Sequence, residues 1–268
     1  MVRRRQIDLH EIDMDMLHDW RILLEDYAEK ISSFEHGDQH VVGFEIDYRD
    51  IEKNSRLHTS LINWTEECIE RGNRVLFEQF QQFGQTVRPV LRISNYHDQS
   101  FHPLESLRMR DRGKIITTKI RVRKAKEYQG WLKSASYNCR GCKSPKVIPQ
   151  RLGRNRERPE QCEVCFEKLM NRDPAPELGE ILRFQPHFLL NTEECVYEDI
   201  QYLEVESNEG RDCRMTALVR EEMVGRFTEG DLLDVIVLVR LDHLAKRNFE
   251  EDTRRVLLLE ILNASKEK

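Results

Sequence analysis

The stretch Cys139–Cys165 reads CRGCKSPKVIPQRLGRNRERPEQCEVC and holds two C-x2-C pairs, Cys139/Cys142 and Cys162/Cys165, separated by 19 residues. Four thiolates in two such pairs can close a tetrahedral zinc site, and this spacing is typical of zinc ribbons. Because all four positions are cysteines, none is left for a catalytic water, and the sequence predicts a structural zinc ion. The alternative is two disulfides, which the absence of an initial secretory signal disfavours.

The composition predicts a soluble, rather polar protein, and 268 residues are enough for two or three small domains. Its residues are 39% hydrophobic and 34% charged, and no apolar run approaches membrane-spanning length. Arg3-Arg4-Arg5 precedes acidic residues rather than an apolar stretch, so no targeting sequence is predicted. The other cysteines, Cys68, Cys195 and Cys213, are irregularly placed, which favours free thiols in a reducing cytosol.

The net charge of −5 conceals a basic middle. Between Arg110 and Arg172 there are 18 Lys and Arg residues against 6 Asp and Glu, a local balance of +12, whereas the remainder carries −17. A basic segment of this kind predicts a polyanion-binding surface, with nucleic acid as the favoured partner. The alternative is a solvated surface that is neutralised by the acidic remainder.

The first hundred residues are predicted to be mainly helical. One apolar helix face is formed by residues at steps of three and four, namely Leu17, Trp20, Leu24, Tyr27 and Ile31. A short extended stretch is predicted over 41–48, two further helices over 50–64 and 65–83, and an edge strand over 87–93.

From Ile115 the period changes to two, so that one face of a strand is apolar and the other carries Lys119, Arg121 and Arg123. Strands over 198–207 and 213–222 flank a glycine-containing turn at 208–212, and apolar strands follow over 232–239 and 256–262. The predicted fold class is α+β, an N-terminal helical bundle with a zinc-ribbon-like subdomain inserted in an OB-fold β-barrel. The predicted subdomains are helical (1–100), OB (101–138 with 172–268) and zinc-binding (139–171).

Four segments carry a resemblance to the minichromosome maintenance (MCM) replicative helicases, most similar to the archaeal type. Arg112–Ala125, RGKIITTKIRVRKA, resembles the strand that opens the OB fold of that family. Gly230–Val237 and Val219–Val224 resemble two later OB segments, and Phe44–Ile51 resembles a motif of the helical subdomain. Their order, with the cysteine pairs between them, matches the N-terminal region of the family over roughly residues 20–262.

The sequence also departs from the family pattern. Arg121 stands where the family has glycine, and the hairpin after Tyr202 is shorter than usual. No G-x-x-x-x-G-K-[ST] motif occurs, because the only Gly-Lys pair is Gly113-Lys114 and Ile115 follows it. No catalytic residue is therefore predicted here, and ATP with Mg²⁺ would belong to an ATPase module beyond Lys268.

The resemblance implies the N-terminal DNA-binding and oligomerisation region of a helicase, forming a hexamer or double hexamer around DNA. Such a region would bind the DNA backbone without sequence specificity and would prefer single strands. It would act at the nucleoid in the cytoplasm of an archaeon, or in the nucleus of a eukaryote. The candidate DNA contacts are Lys119, Arg121, Arg123, Lys124, Lys126, Arg211 and Arg214. Two alternatives stay open: a free-standing zinc-ribbon/OB protein that binds single-stranded DNA, and a protein-interaction adaptor in which zinc only stabilises the fold.

Overall fold

A computed structural model describes residues 9–96, 101–152, 156–184, 187–208, 213–243 and 255–267 of the chain. The chain forms two compact units, one of Met1–Tyr128 with Gln201–Lys268 and one of Gln129–Ile200. The first contains the helical part and a β-barrel, and the second contains the cysteine pairs. No helix in the described ranges is both long and apolar enough to cross a membrane.

In its described residues, the helical part combines five helices with a pair of parallel strands. Its elements are α1 (Leu9–Glu25), α2 (Ala28–Ser32), β1 (Val41–Asp47), α3 (Tyr48–Lys53), α4 (Ser55–Asn63), α5 (Thr65–Gln82) and β2 (Arg88–Ser94). Of the predicted helix face, Leu17, Trp20, Leu24 and Ile31 are buried. The single predicted helix is however divided into α1 and α2 by a turn at 26–27, where Tyr27 is only partly buried. The Trp20 indole donates a hydrogen bond of 2.8 Å to the Cys68 carbonyl, which ties α1 to α5.

The prediction of one helix over residues 50–64 needs correction. The single helix predicted over 50–64 is divided at Asn54, whose side chain accepts hydrogen bonds from the backbone N–H groups of Arg56 and Leu57 and so caps a new helix. The edge strand predicted over 87–93 is present as β2, which pairs in parallel with β1 from Val41↔Arg88 to Asp47↔Ser94 in a two-stranded sheet. The intervening helices α3–α5 make the crossover that parallel pairing needs.

The second half of the first unit is a five-stranded barrel. Its strands are β3 (Ile115–Cys139), β6 (Val196–Ser207), β7 (Arg214–Arg220), β8 (Leu232–His243) and β9 (Arg255–Lys266). They are ordered β3-β6-β7-β9-β8, and antiparallel pairing of β3 with β8 from Ile115↔Leu238 to Arg121↔Leu232 closes the ring. The predicted α+β class with an OB-like barrel is therefore confirmed.

The alternation predicted for β3 is also confirmed. Ile116, Thr118, Ile120 and Val122 are buried in the barrel, while the intervening residues from Thr117 to Arg123 face outwards. Because side chains alternate along a strand, the cations at 119, 121 and 123 share one outer face.

The second unit, residues 129–200, holds the end of β3, the start of β6 and, among its described residues, a short 3-10 helix (Thr192–Glu194) with two strands and two α-helices of its own. These are β4 (Pro145–Pro149), α6 (Glu163–Met170), α7 (Leu178–Arg183) and β5 (Phe188–Leu190). β4 pairs antiparallel with β3 from Ser134↔Pro149 to Asn138↔Pro145, and β5 pairs with β3 from Tyr137↔Leu190 to Cys139↔Phe188. The predicted zinc-binding segment, 139–171, lies within this unit.

Candidate metal centre and basic segment

The structure brings the four predicted cysteines to one point. Cys139 ends β3, Cys142 lies in the turn that follows, Cys162 immediately precedes α6 and Cys165 lies in its first turn. Their four sulfur atoms all lie within 4.8 Å of one another. The Sγ–Sγ distance is 3.6 Å between Cys139 and Cys165 and 3.4 Å between Cys142 and Cys162.

These separations fit one shared metal ion. A tetrahedral ion with Zn–S bonds of about 2.3 Å places its sulfurs about 3.8 Å apart, whereas a disulfide bond is only about 2.05 Å long. The measured 3.4 Å and 3.6 Å lie close to the first value. Four thiolate donors without a carboxylate or histidine form a closed set of the kind that structural zinc uses.

The turn between Cys139 and Cys142 is shaped for close approach to the second cysteine pair. A Cβ atom at Gly141 would lie 3.3 Å from the Cys165 sulfur, so a larger residue would crowd the site. Lys143 adopts a left-handed backbone conformation with φ of 65°, and its N–H donates to the Cys139 carbonyl at 2.8 Å. This conformation reverses the chain and returns Ser144 to the cluster.

Sequence reasoning missed Ser144. Its hydroxyl lies 2.9 Å from the Cys142 sulfur and 3.5 Å from the Cys162 sulfur. Hydrogen bonding by Ser144 lowers the pKa of the Cys142 thiol to about 6, which favours the thiolate, the form that binds metals. Hydrogen bonds with Cys142 and Cys139 raise the pKa of the Cys165 thiol to about 12, because negative charge on neighbouring sulfurs opposes a further thiolate.

Polar contacts attach the long loop between the cysteine pairs to the sheet. The Gln150 side chain accepts from the backbone N–H of Glu157 at 2.8 Å and donates to its carbonyl at 3.2 Å. The Tyr137 hydroxyl donates to the same carbonyl at 2.8 Å. The Lys146 ammonium on β4 lies 2.8 Å from the Glu163 carboxylate on α6, which connects the two halves of the site.

The second candidate site is a run of cations along strand β3. We call Lys119–Lys126 of β3 the basic segment, which contains five predicted DNA contacts: Lys119, Arg121, Arg123, Lys124 and Lys126. Arg214 is exposed at the start of β7, and Arg211 lies outside the described residues. The structure therefore groups five of the seven predicted cations on one strand.

Carboxylates of the barrel border the basic segment on both sides. We call Glu204 and Glu206 of β6, Asp234 of β8 and Glu267 after β9 the carboxylate border. The Arg123 guanidinium lies 2.8 Å from Glu206, and the Lys126 ammonium lies 3.2 Å from Glu204.

Lys119 contacts the opposite side of the carboxylate border. Its ammonium lies 2.8 Å from Glu267 and 3.3 Å from Asp234, and these two hydrogen bonds raise the pKa of Lys119. Within the described part of the chain, Arg121 and Lys124 have no ion-pair partner. Sequence reasoning missed the carboxylate border because its members lie far from β3 along the chain. The alternation of Glu204 and Glu206 in β6 is the one local signal for an acidic outer face.

Comparison with known proteins agrees with this architecture. The chain is similar to a solved structure of the N-terminal domain of an archaeal MCM, with a TM-score of 0.74 and 20% sequence identity. The match covers 96% of this chain and 100% of that one. No protein-family model matches the sequence, and no curated protein matches it. The fold expected from the resemblance is thus confirmed.

Proposed function

We propose that this chain is the N-terminal DNA-binding and oligomerisation region of an MCM-like replicative helicase. The observation that carries the proposal is the match of nearly the whole chain, helices and barrel together, to the N-terminal domain of an archaeal MCM. The parent protein would be an ATP-dependent DNA helicase, and this region would assemble as a hexamer or double hexamer around DNA.

The cysteine cluster supports a structural role for metal in this proposal. Cys139, Cys142, Cys162 and Cys165 would hold one zinc ion, which would act as a cross-link between the end of β3 and the start of α6. A closed set of four thiolates leaves no position for substrate or water, so the ion would not take part in a reaction.

The basic segment supports backbone recognition. A positively charged strand on a small barrel can track the phosphates of a single strand without reading its bases. Because Arg121 and Lys124 have no carboxylate partner among the described residues, they are the cations most available to phosphate. We therefore expect sequence-tolerant binding whose affinity falls steeply with salt as counterions are released.

Reversing the charge of the two available cations tests this role. The R121E/K124E variant should bind single-stranded oligonucleotides of every sequence more weakly, because each substitution removes a cation that neutralises about one phosphate. On a single strand, the slope of log K against log salt should flatten by about 0.7 for each phosphate that is no longer neutralised. Fluorescence anisotropy with labelled oligonucleotides over a salt series measures both quantities.

A matched control is the K53E/R74E variant, which makes the same charge change on exposed cations of the helical part. If control and test variants lose affinity equally, the basic segment is not the contact surface. If the unsubstituted chain binds no DNA, the interaction-adaptor alternative is favoured. A DNA-binding chain whose coding sequence has no Walker motif after Lys268 would instead be a free-standing single-strand-binding protein.

Assembly into a ring is the second testable part of the proposal. Multi-angle light scattering of the chain at high concentration and low salt should give a mass close to six times 32.0 kDa, or twice that for a double ring. A ring multiplies weak contacts along one strand, which offsets a low affinity per subunit. A monomeric mass under all these conditions would contradict self-sufficient assembly.

A further inference from the structure

The carboxylate border changes the electrostatics of the basic segment from what its sequence indicates. Counted along β3 alone, the basic segment offers five cations for one incoming phosphate chain. Within the part of the chain that the structure describes, four carboxylates lie beside these cations in space, and three of the five cations are in ion pairs. The net charge of the two groups together is therefore close to +1.

Stabilisation of the fold is a weak explanation for these ion pairs. Side chains at Lys119, Arg123 and Lys126 are 41–46% exposed, and exposed ion pairs typically contribute little to stability because water screens them. An approaching polyanion also responds to these charges. Each phosphate meets repulsion from a carboxylate and also competes with it for the cation.

We infer that the carboxylate border restrains polyanion binding on the barrel, so that a nucleic-acid backbone must displace Glu204 and Glu206 to reach Arg123 and Lys126. This inference rests on the proposed DNA-binding function and adds to it the groups that limit affinity. Arg121 and Lys124 make the first contacts because no carboxylate among the described residues forms an ion pair with them. Arg123 and Lys126 follow only when the ion pairs open.

The inference predicts a gain of binding on removal of negative charge. The E204Q/E206Q variant keeps the shape of both side chains and should bind oligothymidylate about three- to tenfold more tightly at low salt, since two cations are freed and two repulsive charges are removed. The salt dependence should steepen by about 0.7 for every additional phosphate that is neutralised.

A control variant must remove the same charge elsewhere. D15N/E78Q neutralises two carboxylates of the helical part that also pair with arginines, Asp15 with Arg56 at 3.4 Å and Glu78 with Arg74 at 3.1 Å. Anisotropy titrations of the parent and both variants should show a gain for E204Q/E206Q alone. An equal gain in both variants would mean that only total charge matters and would overturn the inference.

The remaining outcomes separate the inference from the proposed function. If the parent binds DNA and E204Q/E206Q binds it no better, the restraint is refuted and DNA binding stands. If only E204Q/E206Q binds, the restraint is supported. If neither binds at low salt, the restraint and the proposed DNA binding are both refuted.

Discussion

Replacing Cys162 with serine is expected to reduce the zinc content from one ion per chain to nearly none and to unfold much of residues 129–200. The substitution removes one of four sulfurs that lie within 4.8 Å of one another. Loss of one thiolate opens the coordination shell, and structural zinc contributes about 10–16 kcal/mol in small metal-dependent domains. Elemental analysis of freshly reduced protein measures the zinc, and limited proteolysis of the loop between the cysteine pairs measures the unfolding.

Unfolding in the C162S variant should be confined to the second unit, because this unit has little apart from the metal to stabilise it. Among its described residues the buried apolar side chains are Ala135, Tyr137, Cys139, Cys162 and Ile200, two of which belong to the cluster itself. The helical part and the barrel, by contrast, each have an extensive apolar core. A small unit without such a core needs a metal or another cross-link to remain folded.

Cys195 offers a matched control within the same unit. Its thiol is half-buried and donates to the Asn191 carbonyl at 3.2 Å, outside the cluster. The C195S variant should therefore keep one zinc ion and resist proteolysis as the parent does. Full zinc occupancy in C162S, or a parent without stoichiometric metal, would contradict the proposed centre.

Features set by local sequence were predictable. The cysteine spacing indicated the cluster because each pair needs only a tight turn, and the alternation after Ile115 indicated which side of β3 is apolar. Asn54 could also have been interpreted correctly, since an asparagine before Ser55-Arg56 is a common helix cap and predicts a break.

Features made by distant segments were not predictable from one sequence. The carboxylates beside Arg123 and Lys126 lie about 80 residues away along the chain, so the count of local charge overestimated the field at β3. The parallel pairing of β1 with β2, and the ion pair of Arg92 on β2 with Glu222 after β7, depend likewise on how the helices return the chain. Such contacts form only once the topology is fixed, and residue periodicity contains no information about them.

Substitution of Arg92 is the second change that is expected to have a large effect, in this case on the free energy of unfolding. It lies on β2, is 8% exposed, and its guanidinium makes two hydrogen bonds to Glu222, at 2.6 Å and 2.8 Å. It also donates to the carbonyls of Leu262 at 3.2 Å and Arg220 at 3.1 Å, so one side chain joins the helical part to the barrel. β1 passes so close to this ion pair that a Cβ at Gly43 would lie 2.7 Å from the Glu222 carboxylate.

Replacing Arg92 with methionine should lower the free energy of unfolding by about 3–5 kcal/mol, because it leaves the buried Glu222 carboxylate without a partner. Urea unfolding followed by circular dichroism measures the change. R74M is the control: its guanidinium is 61% exposed and pairs with Glu78 one helical turn away, so its loss should cost about 0.5 kcal/mol or less.

The double variant R92M/E222M distinguishes a buried unpaired charge from simple loss of packing. Removing both charges eliminates the penalty on Glu222, and apolar replacement of a whole buried pair is often nearly neutral. The two backbone carbonyls still lose their donor, at about 1 kcal/mol each, so the double variant should be destabilised by roughly 1–3 kcal/mol. Recovery of stability relative to R92M would identify the ion pair as a specific connection between β2 and the barrel. If the double variant is as unstable as R92M or less stable, the destabilisation comes from packing around the Arg92 side chain rather than from the isolated carboxylate.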